Sequence, residues 1–103
     1  MRKNKIAIII VLSIILFVML HITPNIALRT HVFFSGYFIE AITTDIVDDE
    51  FHNKIDKELL EKQKAKCYTL TNPPVEKATQ GILRNYKVVK KGILYFADYY
   101  GDG

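Results

Sequence analysis

The residues best equipped for chemistry lie in the stretch "DDEFH". Asp48, Asp49, Glu50 and His52 are packed together there, with Asp45 just upstream. Clustered oxygen ligands suit calcium. However, a calcium loop alternates its ligands along the chain and uses a glycine for its sharp turn, and this stretch has neither. On a helix Asp48 and His52 share one face, which makes at most a partial site. The chain has three histidines, His21, His31 and His52, with no His-x-x-x-His pair and no associated glutamate pattern, so zinc is not indicated. Ser13 falls in an apolar run. Ser35 has a glycine only after it, which is not a nucleophile elbow. Cys67 is the single cysteine, so no intramolecular disulfide is available, and it reads as a small buried apolar side chain. These residues specify no catalytic mechanism, metal site or cofactor, and the chain reads as non-enzymatic.

The aromatic C-terminal end is a different kind of candidate. Tyr95, Phe96, Tyr99 and Tyr100 lie within six residues. Aromatics paired across strands ordinarily pack a sheet, but an exposed ladder of them also forms a binding surface for a peptide or glycan. These four residues are the candidate interaction surface.

The elements that position these groups start with "IAIIIVLSIILFVML", Ile6–Leu20, fifteen residues with one hydroxyl and no charge. Arg2, Lys3 and Lys5 precede it, and the next formal charge is Arg29. A basic start before an apolar run predicts an export segment whose charged end stays in the cytoplasm. A helix from Ile6 to Thr23, ended by Pro24, is roughly 27 Å long and just covers a hydrocarbon core of about 30 Å. A cleavage site would need small residues, and the only nearby candidate, Ala27, has poor neighbours. The expected arrangement is therefore residues 1–24 as an uncleaved anchor in membrane lipid through Ile6–Leu20, with 25–103 as a small extracytoplasmic domain. The alternatives are a secreted effector or inhibitor released near Ala27, or a small membrane-active toxin or immunity-type protein.

The net charge of +3 equals the charge of those first three cations. Removing them from the fourteen basic residues leaves eleven against eleven acidic ones. A neutral domain lacks the clustered basic face that nucleic acid requires. The expected partners are an envelope protein, a peptide or the membrane surface.

Within the domain, Pro24-Asn25 can open a short helix and Ser35-Gly36 breaks it. Tyr37–Ile46 favours helix on its spacing. The aromatic group Phe33, Phe34, Tyr37 and Phe38 reads as core, with the headgroup region of a membrane as the alternative. Residues 48–66 read as one helix. Val47, Phe51, Ile55 and Leu59 recur every fourth residue, forming an apolar stripe to pack on a sheet. Glu50–Lys54, Lys57–Glu61 and Glu58–Lys62 are opposite charges four apart on its exposed side. "KCYTLT" alternates as a strand, stopped by Pro73-Pro74. Tyr86–Val89 and Ile93–Tyr100 form a hairpin about Lys90-Lys91-Gly92, and the second arm reads as covered on both faces or central. The fold class that follows is α+β, with an anchor helix and then one or two helices packed on a short antiparallel sheet.

Overall fold

The computed structural model describes residues 2–101. Its elements are α1 (Arg2–Leu20), α2 (Pro24–Phe34), α3 (Phe38–Thr43), β1 (Ile46–Asp48), α4 (Glu50–Ile55), α5 (Lys57–Gln63), β2 (Ala65–Leu70), β3 (Asn85–Lys91) and β4 (Leu94–Tyr99). The strands form one sheet in the order β1-β2-β3-β4, every neighbouring pair antiparallel. The α+β class is as the sequence implies. The expectation of one or two helices after the anchor needs correction, because four short helical segments follow α1.

Each boundary has a local cause. Thr23 is extended (φ −132°, ψ 155°), and its Oγ1 accepts from the Ile26 amide at 3.1 Å, capping α2 with Pro24 in the first turn. Gly36, at φ +100°, ends that helix at the expected break and turns the chain into α3. In the β3–β4 hairpin Lys91 pairs with Leu94, so the turn is Gly92-Ile93, which shares Gly92 with the expected turn but ends one residue later. Gly92 takes φ +64° there.

One sheet face is covered by α2 and α3. The core holds Leu28, Val32 and Ala41 from the helices against Leu70, Tyr86 and Val88 from the strands. Strand alternation points Cys67 to the opposite face, where His52 and Leu60 of α4 and α5 are buried. β4 is an edge strand rather than a central one. Its open edge is met by the end of α1, where the Tyr95 amide donates to the His21 carbonyl at 2.7 Å.

The single helix expected over 48–66 is not formed. Residues 46–48 are a strand instead, and the helical part is broken at Asp56 (φ −105°, ψ 22°). The apolar stripe also faces outward: Val47, Phe51, Ile55 and Leu59 are 47, 61, 54 and 49 % exposed. Polar satisfaction on the other face accounts for this. β1 ends at Asp48, and past it the Asp49 amide still donates to the Cys67 carbonyl at 3.1 Å, but no strand residue accepts from the Cys67 amide on that side among the described residues. The Asn53 side chain takes that place, donating to the Cys67 carbonyl at 2.9 Å and accepting from its amide at 2.8 Å. That bidentate contact fixes the rotation of α4 and turns the stripe away. Among the described residues, none of the three expected helical ion pairs closes to contact distance.

The aromatic group expected in the core is also largely outside it. Phe33, Phe34 and Phe38 are exposed, and only Tyr37 packs against the core. Their side chains project from the α2–α3 corner, outside the packed core.

α5 ends at Lys64, which has left-handed backbone angles (φ 55°, ψ 46°) that favour glycine. Lys64→Gly is expected to stabilise the domain by roughly 0.5–1 kcal/mol, read as a rise in thermal midpoint. No change or a fall in midpoint would contradict that.

Candidate functional site

The four C-terminal aromatics do not make one surface. Alternation along β4 sends Tyr95 and Tyr99 to one face and Phe96 and Tyr100 to the other. Tyr95 packs at the edge of the core, and Tyr99 meets the Tyr86 ring edge-on at 5.6 Å. Phe96 lies against the last turn of α1, with its ring 5.0 Å from His21 and 6.3 Å from Phe17. Tyr100 turns to α4 and α5, donating to Asp56 Oδ2 at 2.6 Å, with its ring edge-on to His52 at 5.1 Å. Two distinct groupings result, one around Phe96 and one around Tyr100.

The first is the junction between α1 and the domain. Besides the Tyr95–His21 bond, Thr30 Oγ1 donates to the Leu20 carbonyl at 3.1 Å, and His21 Nδ1 lies 2.8 Å from the Phe17 carbonyl. The end of α1 is thereby bonded to both α2 and β4. Beside it runs a cleft of about 710 Å³, with Leu16, Phe17 and His21 on one side and His31, Phe34 and Phe96 among its other lining residues. Burial lowers the His31 pKa, and the Asp98 carboxylate partly opposes this.

The second is a closed polar cluster. Asp49 caps α4, accepting from the His52 amide at 3.1 Å, while its other oxygen meets His52 Nδ1 at 2.5 Å. Both side chains are buried, and His52 Nε2 has no hydrogen-bond partner among the described residues. Cys67 is wholly buried nearby. Cysteine, histidine and aspartate together suggest a nucleophile, but the electrostatics run the other way. Burial, with Asp49 and Asp56 beside it, pushes the Cys67 thiol up to about 11. A nucleophilic cysteine needs a depressed value. This cluster joins α4 and α5 to the sheet, and sequence reasoning missed it because Asp56 and Tyr100 are far apart in the chain.

Of the acidic stretch, Asp48 pairs with Lys66 at 3.1 Å on the surface while His52 turns inward to Asp49, so Asp48 and His52 do not converge. Among the described residues no group of three or more histidine, cysteine, aspartate or glutamate side chains is placed to hold a metal ion.

The cluster, with the tyrosines Tyr68 and Tyr86 on the other sheet face, predicts alkaline lability. Tyr100 is pushed up to about 12 by donating to Asp56, and burial raises Tyr68 and Tyr86. Together with Cys67, the folded state holds protons that the unfolded chain releases from about pH 9 upward. Stability is therefore complete below that pH and falls as pH rises through about 11. The midpoint at about pH 10.5 is expected to lie on the order of 10 °C below that at about pH 8. Equal midpoints would refute the assignment.

α1 has the length and composition to cross a membrane, a test that a signal sequence also passes, and none of its residues is buried. Fold and junction together define a small α+β protein with one exposed apolar N-terminal helix bonded at its end to a four-stranded sheet. The chain belongs to the YjcN family, whose family model matches residues 1–101. No curated protein and no solved structure matches it.

Proposed function

We propose that the chain is a membrane-anchored cell-envelope protein. In this reading α1 spans the bilayer with its cationic start in the cytoplasm, and the α+β domain outside binds a partner without catalysing a reaction. The observation that carries the reading is α1 itself. It is a nineteen-residue helix with no buried residue, and its apolar side chains from Ile6 to Leu12 project freely from the protein. Water does not tolerate such a surface, whereas a bilayer does. Arg2, Lys3 and Lys5 at its start favour the cytoplasmic side.

Retention is favoured over release near Ala27. That residue is 1 % exposed within α2, and cleavage there would remove the Thr23 cap and the first turn of a core helix. For the interaction role, the support is the outward stripe of Phe51, Ile55 and Leu59, which none of the described residues covers. An envelope protein or a peptide with an apolar contact face fits it. Tethering raises the local concentration, so weak contacts suffice.

The test is fractionation with an alkaline carbonate wash, intact-mass measurement and a topology reporter after Gly103. The expected result is a washed-membrane protein whose mass begins at Met1 and whose reporter is active outside the cytoplasm. Full-length chain in the soluble cytosolic fraction would overturn the reading.

A further inference from the structure

The anchor is short for its task, and the domain carries a second apolar surface beside it. The uncharged apolar run Ile6–Leu20 is about 22 Å long at 1.5 Å per residue, against a hydrocarbon core of about 30 Å. Lysine and arginine stems make up part of the difference at the inner end. At the outer end it is made up by drawing the adjoining residues towards the hydrocarbon.

Those adjoining residues are suited to that position. α2 turns back beside α1 after the short 21–23 link. Their shared cleft is lined by Ser13, Leu16 and Phe17 from one helix and Thr30, Phe34 and Ser35 from the other. Thr30 is bonded to the Leu20 carbonyl, and α2 runs on for four residues past it along the cleft wall opposite Leu16 and Phe17, so its C-terminal end lies beside the last turns of α1. Thr30 and Phe34 are separated by about 6 Å along the α2 axis. Around that end Phe34, Phe38, Ile39 and Ile42 are 74, 55, 73 and 70 % exposed. Phe33 ties them together, with ring centroids 5.4 Å from Phe34 and 4.7 Å from Phe38. A groove of about 470 Å³ lined by Leu20, Ile26, Phe33 and Ile42 makes this surface continuous with the end of the anchor. Arg29, on the same wall, directs its guanidinium inward to the Ala41 and Ile42 carbonyls at 2.9 and 3.3 Å and to Asn25 at 2.8 Å.

We propose that the α2–α3 corner is a lipid-docking surface, lying at the boundary between headgroups and acyl chains in the leaflet where α1 emerges. Interfacial helices bury their apolar face about 5–10 Å into that boundary, and the part of α2 past Thr30 reaches about 6 Å at most beside α1. Lipid is preferred to a protein partner because the surface is continuous with the anchor and shares its depth. The domain is then held against the bilayer, with β1 and α4–α5 turned to the aqueous side. This inference rests on the anchor reading above, and its test separates the two.

The chain has no tryptophan, so a single introduced one reports its own surroundings. Full-length Phe17→Trp, Phe34→Trp, Ile39→Trp and Phe51→Trp would each be reconstituted in phosphatidylcholine–phosphatidylglycerol vesicles whose acyl chains carry bromine, a fluorescence quencher, either near the glycerol or near the bilayer centre. All four sites are exposed, so folding is preserved, and protection of Cys67 from alkylation checks it. Phe17→Trp should be quenched by deep bromine. Phe34→Trp and Ile39→Trp should be quenched by shallow bromine at least about twofold more than Phe51→Trp. If Phe17→Trp is quenched while positions 34 and 39 are not, the lipid-docking proposal fails and the anchor stands. A blue-shifted but unquenched signal at 34 and 39 also overturns it, pointing to a second copy of the chain as the cover. Equal quenching at Phe51 overturns it as adsorption without a preferred face. No quenching at Phe17 removes the anchor and the proposal with it.

Discussion

An Ile10→Arg, Ile14→Arg double variant is expected to leave the membrane fraction altogether, whereas either single variant should reduce retention without abolishing it. The difference follows from magnitudes. Twelve residues between Ile6 and Leu20 are leucine, isoleucine, valine or phenylalanine. Each favours insertion by about 0.3–0.6 kcal/mol at the helix centre, roughly 4–7 kcal/mol together. One central arginine costs about 2.5–3.5 kcal/mol, which leaves a remainder. Two cancel it. Both sites point freely outward and bury nothing in the domain, at 53 % exposure for Ile10 and 58 % for Ile14, so the domain itself should fold as before. The measurement is the distribution between pellet and supernatant after carbonate washing. A double variant that stays in the pellet would show that something other than the apolar run holds the chain there.

The second large effect is expected inside the domain. Asp49→Ala removes the α4 cap and the partner of His52 Nδ1 in one step. The lost cap costs about 0.5–2 kcal/mol and the unpaired buried donor about 1–3 kcal/mol. A loss of roughly 2–4 kcal/mol is a large part of the stability typical of a small domain, and the thermal midpoint should fall by on the order of 15 °C. Asp49→Asn keeps an oxygen for the cap and should recover about half of this. Exposed Glu50, one residue on, should tolerate alanine with little change, since its side chain has no bonded partner among the described residues. A midpoint for Asp49→Ala within a degree or two of the parent would mean that the buried pair contributes nothing.

Several elements were legible because their signals are local. An unbroken apolar run can only be a helix if it meets lipid. Pro24-Asn25 and Ser35-Gly36 bracket α2 by first-turn and breaker chemistry, and the alternation of Cys67–Thr71 marks β2. The hairpin followed from Gly92 between two aliphatic and aromatic arms. What could not be read was direction. The four-residue rhythm of Val47, Phe51, Ile55 and Leu59 says that these side chains share a side, not that the side faces inward. The deciding contact, Asn53 standing in for a strand against Cys67, joins residues fourteen apart and leaves no periodic trace. The same holds for Phe33, Phe34 and Phe38, whose aromatic content suits a core and a membrane boundary equally. The candidate site fared likewise. Tyr95, Phe96, Tyr99 and Tyr100 were identifiable as an aromatic group, but the faces they occupy depend on α1 and α4, which approach β4 from distant parts of the chain.

The bond from Tyr95 to His21 has a practical corollary for anyone preparing the domain without its greasy leader. In the intact chain the His21 carbonyl engages one amide of the outermost strand, and the rings of Phe17 and His21 shield Phe96. A polypeptide beginning at Pro24 would lose all three at once, baring a strand flank and a phenyl ring together. Exposed strand flanks recruit one another, so such a preparation should self-associate through β4. A lysine at Phe96 would be the first remedy to try, since a charge on a bare flank discourages that pairing.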